Sequence, residues 1–289
     1  MISDFKTIIG NTPLIKISDK IYAKLETYNP TGSVKDRMVY YVINRAIERG
    51  EITKDTILCE ATSGNTGIAL SAVAASLGLP CFIYMPSDMS EERRQMIRVY
   101  GGLMIDAPPS DFEKAIEMRD QFLIGEPNAW SPMQFSNPDN VECHQTITAR
   151  EISCQLEQNG KSWGAFIHGS GTGGTIEGVR RYIEKNKYGD VKTTKVCMVV
   201  PAESPHGIQG IGDGKDFLAN PEDMDSVIVI ETQEAIDRAK RFAAETGILV
   251  GISSGANILA SEQWVKSNNP KDPVVTMLCD RGERYMSVF

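Results

Sequence analysis

An α/β fold of two lobes, each a parallel-rich sheet in three layers, follows from three features of the chain. Apolar runs of strand length alternate with helical stretches, glycine-rich segments stand at the strand-to-helix junctions, and a polar region at 127–142 interrupts a pattern that then resumes. With 289 residues and 41% apolar content, the chain can bury the cores that such lobes need.

The elements follow in order. The run ILCE at 57–60 leads through a helical stretch at 65–77 to CFIYM at 81–85, then a helix at 90–100 and LMID at 103–106. Strands joined through helices are βαβ units, whose crossovers make neighbouring strands parallel. Beyond the polar region, GAFIH at 164–168 precedes a helix near 173–186, and KVCMVV at 195–200 and SVIVI at 226–230 follow. A helix near 233–246 and VVTML at 274–278 complete the pattern, which places the junction of the lobes near residue 145.

Composition excludes several classes. The net charge of −8, from 38 acidic against 30 basic residues, comes without the basic stripe that neutralises a phosphate backbone, so nucleic acid is not an expected partner. No apolar run approaches the roughly 20 residues that span a bilayer, and Met1-Ile2-Ser3-Asp4 is unlike a signal peptide, so the expected location is cytoplasmic, without a membrane. The six cysteines are scattered with no pair at metal-ligand spacing, which predicts free thiols and no metal site. The three histidines, His144, His168 and His206, are far apart and predict structural roles.

Open α/β sheets bind ligands at strand tips; two segments stand there, and a third opens a helix after a Pro/Gly turn. The run Gly169-Ser170-Gly171-Thr172-Gly173-Gly174-Thr175 follows a strand and opens a helix, so its N–H groups can converge on an anion. It spells GxGxxG, but the acid of a dinucleotide site comes too late, at Glu203, and no lysine of an ATP-type loop follows it. A small phosphorylated ligand fits better. In Asn29-Pro30-Thr31-Gly32-Ser33-Val34-Lys35-Asp36-Arg37, a Pro/Gly turn delivers Lys35 to the first turn of a helix, where an amine beside cofactor charge can act as nucleophile and then base. Taken alone, it better describes a solvated surface lysine. The segment Thr62-Ser63-Gly64-Asn65-Thr66-Gly67 combines hydroxyls, an amide and N–H groups that can clamp a carboxylate, or simply cap a helix.

Together, PTGSVKDR, TSGNTG and GTGGT, in this order and spacing, resemble the cysteine synthase (O-acetylserine sulfhydrylase) family, from Ile9-Gly10-Asn11-Thr12-Pro13-Leu14 to Gly282-Glu283-Arg284-Tyr285. That resemblance implies a pyridoxal 5′-phosphate (PLP) enzyme of fold type II, with two lobes like those of the tryptophan synthase β chain. It divides the chain into a smaller mobile domain at 35–145 and a larger phosphate-binding domain of 1–34 plus 146–289. By similarity, Lys35 forms the internal aldimine and Asn65 bonds the ring hydroxyl, while Gly169, Gly171, Thr172, Gly173, Gly174 and Thr175 hold the phosphate. Thr62, Ser63, Asn65 and Thr66 bind the substrate carboxylate, joined by Gln134 of QFSNPDN. The spelling CDRG resembles the B-type isozyme more than the A-type, and makes Cys279 the partner of the ring nitrogen, with Asp280 competing for that place.

The implied reaction is β-replacement through an aminoacrylate, in which O-acetyl-L-serine and sulfide (or thiosulfate) give L-cysteine (or S-sulfocysteine). A homodimer and serine acetyltransferase are the partners implied. One departure stands out: the segment around Gly210 matches the loop facing the substrate β-group, yet Asp213 occupies a place where the family pattern leads one to expect a small apolar residue. A carboxylate there is either a solvated loop acid or suits a cysteine-consuming alternative, releasing sulfide or forming a lanthionine- or cyanoalanine-type product.

Overall fold

The computed structural model describes residues 5–186, 194–212 and 218–289. In chain order, the first elements are β1 (Leu14–Ser18), β2 (Ile21–Leu25), α1 (Lys35–Glu48), β3 (Ile57–Ala61), α2 (Asn65–Leu77), β4 (Cys81–Pro86), α3 (Glu91–Val99), β5 (Leu103–Ala107) and α4 (Phe112–Gly125). Next come β6 (Ala129–Trp130), α5 (Pro138–Cys143), a π-helical turn at His144–Thr148, α6 (Ala149–Gln158), β7 (Ala165–Gly169) and α7 (Gly174–Asn186). The last are β8 (Lys195–Pro201), β9 (Ser226–Ile230), α8 (Thr232–Thr246), α9 (Ile252–Asn268) and β10 (Val274–Leu278). Two compact units result, one formed around Asn29–Asp139 and the other from Gly10–Tyr28 with Asn140–Phe289.

The first unit carries a four-stranded sheet, in order β5-β4-β3-β6, with every pairing parallel. Alternation along β3 builds two cores. Leu58 packs with Met38 of α1, Ile68 of α2 and Ile97 of α3, while Cys59 and Ala61 pack with Tyr84, Ala115 and Phe122 of α4. The sheet is thus sandwiched between helices, and each fully buried Leu or Ile contributes about 1.5–3 kcal/mol. Helix α2 is built of small and apolar residues buried from Thr66 to Ala74, and it ends where Gly78 takes φ +70°.

The second unit holds a six-stranded sheet, in order β1-β2-β10-β7-β8-β9. Its pairings are parallel except β1 with β2. Helix α9 packs on β7 to β10, while α7 lies on β7 and β8, and α6 on β1. Helices α8 and α9 approach so closely that a Cβ at Gly255 would lie 2.1 Å from the Ala235 carbonyl. The α/β class and the parallel-rich sheets agree with the sequence pattern. The antiparallel β1–β2 pair and helices α4 and α9 go beyond it: α9 is buried on most sides and so lacks an amphipathic period. Among the described residues, no helix is long and apolar enough to cross a membrane.

Candidate functional site

Lys35 is the first residue of α1 and is half-buried. The turn before it is held from within. Gly32, at φ +82°, donates its N–H to the Asn29 carbonyl at 2.8 Å, and the Thr31 N–H donates to Asp36 Oδ2 at 2.7 Å. The Thr31 hydroxyl donates to the other oxygen of the same buried carboxylate. Asp36 thereby folds the turn back on the helix start and fixes where the Lys35 side chain leaves the backbone.

At the tip of β3, Thr62 Oγ1 accepts the Gly64 N–H at 3.1 Å, and Asn65 and Thr66 open α2. The Thr66 hydroxyl donates to Gln134 Oε1 at 2.7 Å, and Gln134 Nε2 donates to the Ala61 carbonyl at 3.3 Å. Gln134 is therefore locked to the strand that carries the loop, although 68 residues separate it from Thr66. The resulting cluster of hydroxyls, amides and helix N-terminal N–H groups can bind an anion without a cation. The nearby thiols take no part: burial pushes Cys59 and Cys81 up to about 12, so neither is a thiolate at neutral pH.

In the second unit, the glycine-rich loop runs from the end of β7 into α7. A Cβ at Gly171 would lie 2.5 Å from the Gly210 carbonyl oxygen, and one at Gly174 would lie 2.1 Å from Asn140 Oδ1, while Gly173 adopts φ +85°. The Ser170 carbonyl accepts the Gly212 N–H at 2.8 Å, and the Thr172 carbonyl accepts the Leu218 N–H at 3.0 Å, so the segment around Gly210 is docked on this loop. Asn140 Nδ2 donates to Thr172 Oγ1 at 3.0 Å, and His144 Nε2 lies 3.3 Å from Thr175 Oγ1. Both threonine hydroxyls are thereby oriented.

The tip of β10 is tied to the same loop through Asn257. Its Oδ1 accepts the Gly169 N–H at 2.8 Å, and its Nδ2 donates to the Met277 carbonyl at 3.0 Å and lies 3.5 Å from Cys279 Sγ. The Cys279 N–H donates to Ser254 Oγ at 2.9 Å. Asp280 is fully buried and accepts a hydrogen bond from the Tyr285 hydroxyl, and its backbone carbonyl accepts the Gly251 N–H at 3.0 Å.

These residues fit a phosphorylated cofactor. The three glycines let Gly210, Ala219 and Asn140 close on the loop where any side chain would clash, α7 presents its N-terminal N–H groups there, and Ser170 Oγ is buried without a hydrogen-bond partner among the described residues. Phosphate oxygens supply the acceptors such a loop wants. Within the first unit the structure joins Thr62, Thr66 and Gln134. Within the second it joins Gly169, Gly171, Thr172, Gly174, Thr175, Gly210 and Cys279. Ser63 is exposed and Asp213 lies outside the described residues. Asn257, Asn140 and His144 were missed; only the asparagine of QFSNPDN carried a local signal, since it sits in a segment already singled out for Gln134.

The pyridoxal-phosphate dependent enzyme family matches residues 5–280. A probable cysteine synthase of Bacillus subtilis is 37% identical over 309 residues, spanning 99% of this chain and 97% of its own length. Among solved structures, a hydrogen sulfide-producing enzyme from Fusobacterium nucleatum is 36% identical at a TM-score of 0.90, covering 98% of this chain and 89% of that one. The cysteine synthase of Entamoeba histolytica is 33% identical at a TM-score of 0.90, with 100% and 90% covered.

Proposed function

The chain belongs to the pyridoxal-phosphate dependent enzyme family, and from that premise we propose that it forms L-cysteine and acetate from O-acetyl-L-serine and sulfide. The β-carbon–oxygen bond to acetate breaks and a carbon–sulfur bond takes its place; thiosulfate entering the same way gives S-sulfocysteine. The cofactor, when bound, supplies the electron sink that stabilises the carbanion left by loss of the α-proton.

Lys35 would hold the cofactor through its amine, and that amine would take the substrate's α-proton as a general base. Asn65 would hold the ring hydroxyl. Gly169, Gly171, Thr172, Gly173, Gly174 and Thr175 would hold the phosphate, with the N–H groups at the head of α7 as donors. Cys279 would be the partner of the ring nitrogen, where a thiol in place of a carboxylate would limit the sink and favour loss of a β-substituent over transamination. Thr62, Ser63, Asn65, Thr66 and Gln134 would hold the substrate carboxylate, and Gly210 would lie on the side of the departing group, to which the family resemblance also assigns Asp213.

The observation that carries this reading is the Thr66–Gln134 bond, at 2.7 Å, beside the head of α2. It fixes Gln134 against the head of α2, whose N–H groups can meet a carboxylate, in a chain similar along 99% of its length to a probable cysteine synthase. Turnover of O-acetylserine, O-phosphoserine and cysteine, each with sulfide, tests it. Cysteine and acetate in equal amounts from O-acetylserine are expected; no product from that donor overturns the reading.

A second reading, cysteine consumption with sulfide release, is supported by the likeness to the Fusobacterium enzyme and by Asp213. The expected assembly is a homodimer that binds serine acetyltransferase, and sedimentation of the holoenzyme alone and with that protein checks both.

A further inference from the structure

Glu60 is the penultimate residue of β3 and is completely buried, in a position where a strand ordinarily carries an apolar side chain. Burial pushes its carboxyl up, and donors on both oxygens oppose that shift. Oε1 accepts from Arg119 Nη1 at 2.7 Å and from the Ala61 N–H at 2.8 Å, and Oε2 accepts from the Gln134 N–H at 3.1 Å. Arg119, itself buried, is held by donating through Nε to Asp120 at 2.7 Å. A buried ion pair is weak evidence for stability, since apolar residues of the same volume serve as well or better. What this one does is therefore to be sought in the groups it holds.

The group it holds is Gln134. Met133, just before it, sits at φ +51°, a conformation side chains rarely adopt and one that persists only where the surroundings enforce it. The Met133 carbonyl accepts the Ser136 and Asn137 N–H groups, and its N–H donates to Ser131 Oγ, which sets the turn from within. Glu60 fixes the turn from without: it takes the Gln134 N–H, while the Gln134 side chain reaches Ala61 and Thr66. One carboxylate thus ties the strand tip that carries the 62–66 loop to the glutamine that completes it.

We propose that Glu60, neutralised by Arg119, is the positioning residue that sets Gln134 and Thr66 to receive the substrate carboxylate. This rests on the reading of Thr62, Thr66 and Gln134 as the carboxylate site. Glu60 does not touch substrate; it acts through the Gln134 backbone.

The test compares ligands that differ only in the group Glu60 serves. In the PLP-loaded enzyme, L-serine and L-serinamide are titrated by the change each makes in cofactor absorption, and KM for O-acetylserine is set against KM for sulfide. Glu60→Gln removes the charge at constant shape. It is expected to weaken L-serine and raise KM for O-acetylserine by roughly tenfold to a hundredfold, the usual effect of losing a hydrogen bond to a charge. L-serinamide affinity, KM for sulfide and the absorption of bound cofactor should change by less than about threefold. Arg119→Lys, which keeps the positive partner, should restore most of the L-serine affinity that Arg119→Met loses. If Glu60→Gln does not fold, Glu60→Asp is read the same way, since it keeps the charge and draws the carboxylate away from the Gln134 N–H. Equal losses for serine and serinamide, or L-serine affinity within threefold of the parent, overturn the proposal. Failure of the underlying reading shows differently: the parent enzyme itself would not distinguish serine from serinamide.

Discussion

Substitution of Gly171 by alanine adds one methyl group where the phosphate loop meets the segment around Gly210. The added Cβ would lie 2.5 Å from the Gly210 carbonyl oxygen, and ordinary van der Waals contact begins at 3.4 Å, so one backbone must yield by nearly an ångström. Neither is free to do so alone: Gly212 donates to the Ser170 carbonyl at 2.8 Å and Leu218 to the Thr172 carbonyl at 3.0 Å. Overpacking of this kind costs about 1–3 kcal/mol. If the strain falls on the phosphate-binding conformation, PLP affinity drops roughly fivefold to 150-fold, at 1.4 kcal/mol per tenfold. The assay is titration of apoenzyme with PLP, followed by absorption, alongside thermal melts with and without cofactor. Gly125→Ala is the control, because a Cβ there meets nothing within 4 Å. PLP affinity within twofold of the parent in a folded Gly171→Ala protein would refute the cradle.

Three further predictions follow from the same structure. Asn257→Ala strands the Gly169 N–H and the Met277 carbonyl, which should cost about 1–3 kcal/mol; urea unfolding of the apoenzyme measures it, and an unchanged midpoint contradicts the link between β7 and β10. Burial raises the Glu177 carboxyl, but bonds from Arg180 and Arg181 outweigh it and hold the group below its ordinary 4.5. Its contribution is therefore present above that value and lost as pH falls through the lowered one. Glu177→Gln should destabilise the protein at neutral pH and lose less stability on acidification than the parent, read from urea midpoints across the acid range. Asp213→Ala separates the two donor readings: sulfide release from cysteine should fall if the carboxylate assists the departing thiolate, and unchanged release removes Asp213 from that reaction.

The local features of the site were legible because each is contiguous in sequence. A strand, a glycine- or hydroxyl-rich turn and a helix start announce an anion-binding tip, and the 62–67 and 169–175 segments both adopt that arrangement. The supports were hidden because they depend on distant partners. Asn257 reaches Gly169 across 88 positions and Glu60 reaches Gln134 across 74, so neither leaves a motif. Glu60 read as part of an apolar strand, ILCE, and the partner that makes its charge tolerable stands on α4, a helix the strand–helix pattern did not mark. His144 carried only the expectation of a structural role, with no partner named, and it orients Thr175 from the π-helical turn that follows α5. Asp280, the competitor of Cys279 in CDRG, is engaged by Tyr285, a contact that spelling alone could not reveal.

Reduction of the PLP-loaded enzyme with borohydride, followed by proteolysis and mass spectrometry, tests the central claim most directly, because it fixes the cofactor to whichever amine carries it. The account predicts a single pyridoxyl group, on Lys35. A label on another lysine, or none on a chain that still makes cysteine, would contradict it.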